Sequence, residues 1–283
     1  MKFVAAARLR RAQEAALAAR PYATELVRVL RSTMARIETP AHPLLAKRPE
    51  EKILVIVLSG ERGLAGAFNT NILKKAQQFF RSKQGKKIVT IPVGKKGRDA
   101  LRKAGFEFAG EYINVLARVD YGVAREIGKL VTELYKKEEV DAVYMVFSEF
   151  KNVMTPVLTV TKLLPVEAIS VPDEAENKES AQSEGEQRQT AKKQPETQVD
   201  YIYEQPEEQI LGNLLPRYIE TQVLRAMLES SAAEYAARMT AMEAATKNAG
   251  DVIEALTLHM NKVRQAAITR EIIEIVSGAA STA

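Results

Sequence analysis

The sequence predicts an α/β protein in which long helices at the two chain ends pair as an antiparallel coiled coil around an inserted α/β domain. Three observations carry this. Residues 1–37 hold apolar side chains on two tracks spaced by seven. Residues 207–275 continue such tracks over about six heptads. Between them, β-branched runs alternate with stretches of helical spacing, as in a mainly parallel sheet with crossover helices.

Taken in order, the first helix is built of Ala, Leu and Arg, all good helix formers. One track is Ala5, Ala12, Ala19 and Leu26; the other is Leu9, Ala16, Ala23, Leu30 and Ile37. The alanines predict a close approach of two backbones. Pro21 interrupts the helix at a cost of roughly 3 kcal/mol and predicts a bend there. Three prolines between residues 39 and 49 then end it.

Strands are expected at 52–58, 87–93, 106–113 and 140–147, with one more extended segment at 153–166. Helices are expected at 71–83, 95–103 and 121–137. Residues 173–199 break the pattern with seven acidic and four basic residues and no aromatic. Such a stretch buries too little surface to offset the entropy of ordering, so a disordered polar loop is predicted.

The helix signal then returns. One track is Leu228, Tyr235, Met242, Ala249, Leu256 and Val263; the other is Ala232, Met239, Thr246, Ile253, Met260 and Ala267. Near 70 residues rising 1.5 Å each make a rod of roughly 100 Å, longer than a domain of this size can bury. The rod must protrude. Four parts follow: an N-terminal coiled-coil helix (1–38), an α/β domain (50–172), the polar loop (173–199) and a C-terminal coiled-coil helix (207–278). Pairing Ile37 near Leu214 puts Met1 near Gly250. Ile253, Leu256, Met260 and Val263 would then have no partner helix.

The chemistry of the chain is sparse. It has no Cys, and its only histidines are His42 and His259, so no disulfide, thiolate metal site or His-based zinc site is expected. Gly60, Gly63 and Gly66 follow a strand, but they lack the Lys-Ser/Thr pair of a phosphate loop and the dinucleotide spacing. Lys95 and Lys96 between Gly94 and Gly97 are likewise out of frame. No catalytic constellation and no cofactor site is found. The longest apolar runs are too short to span a bilayer and no signal segment opens the sequence, which predicts an intracellular protein.

Four stretches resemble one family. Residues 1–13 (MKFVAAARLRRAQ) and 19–23 (ARPYA) resemble the first helix of F-type ATP synthase gamma subunits. Residues 59–72 (SGERGLAGAFNTNI) resemble that family's glycine-rich turn, and 201–223 (YIYEQPEEQILGNLLPRYIETQV) the entry to its last helix. Residues 234–280 resemble its C-terminal helix almost word for word.

The resemblance implies a Rossmann-like inserted domain and a non-catalytic rotor shaft. Such a shaft turns inside a ring of alternating alpha and beta subunits, where ATP reacts. Its globular foot would sit with epsilon on the c-ring, whose ion-driven rotation turns it, at the cytoplasmic face of the cell inner membrane. By family match, Arg264, Gln265 and Thr269 look like the residues that hydrogen-bond to the catch loop of beta. Met1 and Lys2 align with a coupling position facing beta. Tyr201 and Glu204 look like contacts with the polar loops of the c-ring. Family members carry about twenty residues upstream of Met1, so the heptads of this first helix are expected to be a shortened version.

The basic face of the first helix admits other readings. Lys2, Arg8, Arg10, Arg11, Arg20, Arg28, Arg31 and Arg36 stand against Glu14 and Glu25. They suit attraction to acidic loops of beta, or merely a solvated helical face. They would also suit a coiled-coil adaptor or a nucleic-acid-binding protein. A nucleotide-binding α/β enzyme is the remaining alternative.

Overall fold

The two heptad-bearing ends fold as long helices that lie side by side. The computed structural model describes residues 1–36, 42–150, 152, 156–166 and 207–282. In chain order the elements are α1 (Lys2–Arg36), a short 3-10 turn (Pro43–Leu45), β1 (Lys52–Leu58), α2 (Phe68–Ser82), β2 (Lys87–Val93), α3 (Lys95–Lys103), β3 (Glu107–Phe108), α4 (Tyr121–Lys136), β4 (Ala142–Phe150), β5 (Pro156–Leu164) and α5 (Glu207–Thr282). Tyr201, Glu204, Ile37 and the expected polar loop at 173–199 lie outside the described residues.

The strands form one mixed sheet in the order β3-β2-β1-β4-β5. β1 pairs in parallel with β2 and with β4, and β2 with β3. β5, the further extended segment, runs antiparallel to β4 at the edge of the otherwise parallel sheet. The sequence leaves only residues 151–155 between these strands, too few for the crossover that a parallel pair requires. The strand expected at 106–113 shrinks to Glu107–Phe108 plus a single bridge between Val93 and Tyr112. Gly105, at φ +78°, turns the chain immediately before it.

The continuous apolar run of β1 is explained by burial on both faces. Leu54, Ile56 and Leu58 share a core with Leu30, Ile127 and Ile219. Ile53, Val55 and Val57 face the other way, into a core with Ile72, Ala76 and Phe80. Alternate residues of a strand point to opposite faces, so a strand covered on both sides must be apolar throughout. Each large side chain fully buried here contributes about 1.5–3 kcal/mol.

The helix pair is antiparallel. Leu26 and Leu30 of α1 share the large core with Leu215 and Ile219 of α5. Further along, Leu9 packs among Ala232, Tyr235 and Ala236, and the Arg8 guanidinium lies 5.9 Å over the Tyr235 ring. At the start of α1, Lys2 Nζ reaches Glu243 Oε1 at 2.7 Å. Positions therefore rise along α1 as they fall along α5. The expected register is corrected by about one heptad: Lys2 lies beside Glu243, so Met1 does not reach Gly250. The fit of Leu9 against Tyr235 sets the register, and the helix ends do not. Pro21 and Pro216 both lie inside helices that continue through them.

Candidate functional site

α5 extends well past Glu243, the residue that lies beside Lys2. From residue 243 to 278 every residue except Asn261 is exposed, a free rod of roughly 50 Å. Among the described residues, Ile253, Leu256, Met260 and Val263 are 55–64% exposed. Ile272, Ile273, Ile275 and Val276 extend the stripe. Without packing a helix rests on its own propensity, and here its Ala, Leu, Met, Lys and Glu content favours it. The Arg270–Glu274 pair at 3.0 Å adds one i,i+4 contact. A monomeric protein rarely exposes so long an apolar stripe; such surfaces mark interaction sites.

Arg264, Gln265 and Thr269 lie on this free rod and are exposed. Gln265 and Thr269 stack one turn apart, and the Thr269 hydroxyl donates to the Gln265 carbonyl at 2.9 Å. Arg264 is turned about 100° from Gln265 and opens onto the neighbouring strip of the helix. Thus two of the three share a face and the third flanks it. Lys2, by contrast, sits at the mouth of the free rod, some 30 Å below Arg264 by helical rise. Met1 beside it is 78% exposed.

The glycine-rich turn has a different use from phosphate binding. Gly60 N–H donates to Asn69 Oδ1 at 2.8 Å, and Gly97 N–H to Ser59 Oγ at 2.7 Å. The Glu61 carboxylate, 8% exposed, accepts from the amides of Lys95 and Val115 at 3.1 Å each. A β-carbon on Gly60 would lie 3.0 Å from the Glu234 carboxyl carbon of α5. The amides of Gly60, Lys95 and Gly97 are thus engaged by side chains of this chain, and Glu234 of α5 stands against Gly60. His42 is likewise structural: its Nδ1 accepts from Leu44 N–H at 3.3 Å and caps the 3-10 turn. Burial, with Lys136 nearby, lowers its pKa.

Sequence reasoning missed the polar ties between α5 and the domain. Glu220 Oε2 accepts from the Tyr121 hydroxyl at 2.5 Å. Glu234, 4% exposed, pairs with Arg238 at 2.5 Å, and Arg238 also reaches the Gly63 carbonyl at 3.5 Å. Burial raises the Glu234 pKa, and Arg238 opposes that. Ser231 Oγ donates to the Leu116 carbonyl at 2.9 Å. Buried charges survive only when paired, so these ties key the long helix to the sheet at one angle. The available signal was acidic residues inside a stretch that is otherwise the most buried part of α5.

A family model described as ATP synthase matches residues 1–282. The chain is similar to the ATP synthase gamma chain of Solibacter usitatus, at 46% identity over 99% of this chain and 91% of that one. It is also similar to the gamma chain of Pelotomaculum thermopropionicum, at 44% identity over 99% and 91%. The gamma chain of Chloroherpeton thalassium is 45% identical over 99% and 90%. Among solved structures, a chain of the Tetrahymena thermophila mitochondrial ATP synthase central stalk and c-ring matches with a TM-score of 0.59 at 21% identity, over 87% of this chain and 97% of that one. A chain of the Euglena gracilis mitochondrial ATP synthase rotor matches with a TM-score of 0.53 at 18% identity, over 94% and 98%. At these identities the two structures speak to the fold.

Proposed function

The chain belongs to the ATP synthase gamma-chain family, and from that premise we propose how its two terminal helices do the work of a shaft. A gamma chain is the non-catalytic central rotor of an F-type ATP synthase. It couples rotation of the c-ring to ATP synthesis or hydrolysis in the alpha–beta ring, and it is a peripheral component of that complex. No helix among the described residues is long and apolar enough to cross a membrane.

The observation that carries the mechanism is the free half of α5. Residues 1–38 and 207–278 serve as the shaft, and 50–172 as the body through which torque enters. Where α1 and α5 run together, their interlocked side chains resist twisting. Past Glu243 α5 enters the ring, with its apolar stripe turned to its neighbours there. Arg264, Gln265 and Thr269 are placed there to hydrogen-bond a loop of beta. Met1 and Lys2 would meet beta at the mouth of the ring. Tyr201 and Glu204, just upstream of α5, would meet the polar loops of the c-ring, with epsilon against the body. The complex would stand on the cytoplasmic face of the inner membrane.

The parallel order β3-β2-β1-β4 supports a Rossmann-like reading of the body. Its switch point between β1 and β4, where such folds bind ligands, is covered by α5 through Ser230, Ser231 and Glu234. The crevice that holds a nucleotide in other proteins would hold the shaft here.

Mixing the purified chain with alpha and beta subunits from the same source tests the reading. The expected product is a complex with one copy of this chain per ring and an ATPase that depends on it. A ring that excludes the chain, or whose ATPase ignores it, overturns the reading.

A further inference from the structure

Halfway along the helix pair the seam opens. α1 places Ala12, Ala16, Ala19 and Ala23 in succession on its inner face, and four alanines do not fill the space toward α5. A cavity of about 560 Å³ results, bounded by α1, α5, the start of α4 and the end of β4. Its apolar walls include Ala16, Ala19, Leu224, Leu228 and Phe150. Pockets that take small molecules fall in the range of roughly 300–1,000 Å³, mostly apolar with a few convergent polar groups.

The polar groups here are out of balance. Arg225 Nε donates to Glu229 Oε1 at 2.6 Å, and its terminal nitrogen stands 3.7 Å from Glu149 Oε1. Two carboxylates thus share one guanidinium. Glu229 Oε2 is buried with no hydrogen-bond partner among the described residues. An unpaired buried acceptor costs about 1–3 kcal/mol, which an incoming donor would recover. Burial raises the Glu229 pKa, Arg225 opposes that, and Glu149 and Arg20 act more weakly in opposite senses. Arg20 lines the cavity but is exposed to water, where its charge is screened. The lining sets Glu149 and Glu229 against Arg225 and the solvent-exposed Arg20, and the buried acceptor left for a further donor is Glu229 Oε2.

We propose that this cavity binds a small organic cation: a primary ammonium carried on an apolar or aromatic body. The ammonium donates to Glu229 Oε2 and lies beside Glu149. The body packs on the alanines of α1 and on Phe150. An anion is disfavoured because Arg225 is already engaged by both carboxylates. A ligand seated here touches α1, α4, β4 and α5 together and so fastens the shaft to the body. The proposal does not depend on the rotor reading.

Calorimetric titration of the purified chain tests it with 2-phenylethylamine, the matched alcohol 2-phenylethanol, and phenylacetate. The expected result is saturable binding of the amine alone. Glu229→Gln should weaken that binding at least about tenfold, the scale of a lost charge-assisted hydrogen bond. Ala16→Leu, which fills the space, should abolish binding without lowering the unfolding temperature. Absence of amine binding, or equal binding of all three probes, overturns the proposal. So does amine binding that persists in folded Ala16→Leu, which decides the matter even if Glu229→Gln fails to fold.

Discussion

Lys2 Nζ and Glu243 Oε1 meet at 2.7 Å across 241 residues of sequence, and this pair fixes which level of α5 lies beside the start of α1. Both side chains are largely solvated, 44% and 59% exposed, so the pair marks the register but contributes little energy. In a double-mutant cycle of Lys2→Ala and Glu243→Ala, the coupling should be under about 1 kcal/mol and should fade at high salt. A larger, salt-insensitive coupling would mean that the pair holds the helices together.

The backbones of Ser59 and Gly94 approach closely. Gly94 has φ +102°, and a β-carbon there would fall 2.0 Å from the Ser59 carbonyl oxygen. Gly94→Ala should therefore cost more than about 3 kcal/mol, combining overpacking with a strained backbone. Gly105 also has positive φ, at +78°, but nothing lies within 4 Å of its added β-carbon. Gly105→Ala should cost only about 1 kcal/mol. Urea unfolding of the two variants measures the contrast.

Glu50 is expected to shape the acid limb of stability. Burial works against its ionisation, but hydrogen bonds from Lys83, Tyr144, Lys86 and Lys162 outweigh burial and lower its pKa to about 2. A carboxylate depressed in this way stabilises the fold above its unfolded pKa, near 4.5, and the benefit disappears as pH falls toward 2. Glu50→Gln should lose roughly 1–3 kcal/mol at pH 7, typical of hydrogen bonds to a charged group. The mutant and parent curves should draw together as pH falls from about 4.5 to about 2. Parallel curves down to pH 2 would contradict the assignment.

The free half of α5 should be indifferent to substitution until a partner is present. Leu256→Ser and the triple change of Arg264, Gln265 and Thr269 to Ala should shift stability of the isolated chain by no more than about 0.5 kcal/mol. Leu30→Ala, in the core, should cost about 2–5 kcal/mol. In the reconstituted complex the order should reverse for activity, with the triple variant lowering ATPase. Thermal melts and ATPase assays on the same preparations provide the comparison.

What could be read from the sequence was whatever depends on local pattern. The unbroken run from Ile53 to Leu58 could only be a strand covered on both faces, and the heptads of α5 could only be a long helix. Even the unpartnered stripe at Ile253 and Leu256 followed from comparing the lengths of the two helices. The heptad register did not, because alanines at Ala12, Ala16 and Ala19 fit many partners equally well and Leu9 against Tyr235 had to decide. The buried acids were also hidden. Glu220 depends on Tyr121, and Glu61 on the amides of Lys95 and Val115, and no periodicity links positions so far apart. The cavity at Arg225 and Glu229 belongs to the same class, since it exists only where four elements fail to close.

Rotation itself is the most direct test of the central claim. The chain has no cysteine, so one introduced at exposed Lys103 of the body gives a unique attachment point for a bead. With alpha and beta held on a surface and ATP supplied, the account predicts sustained rotation of the bead in one direction. ATP hydrolysis by the ring while the bead stays still, or wanders without direction, would contradict it.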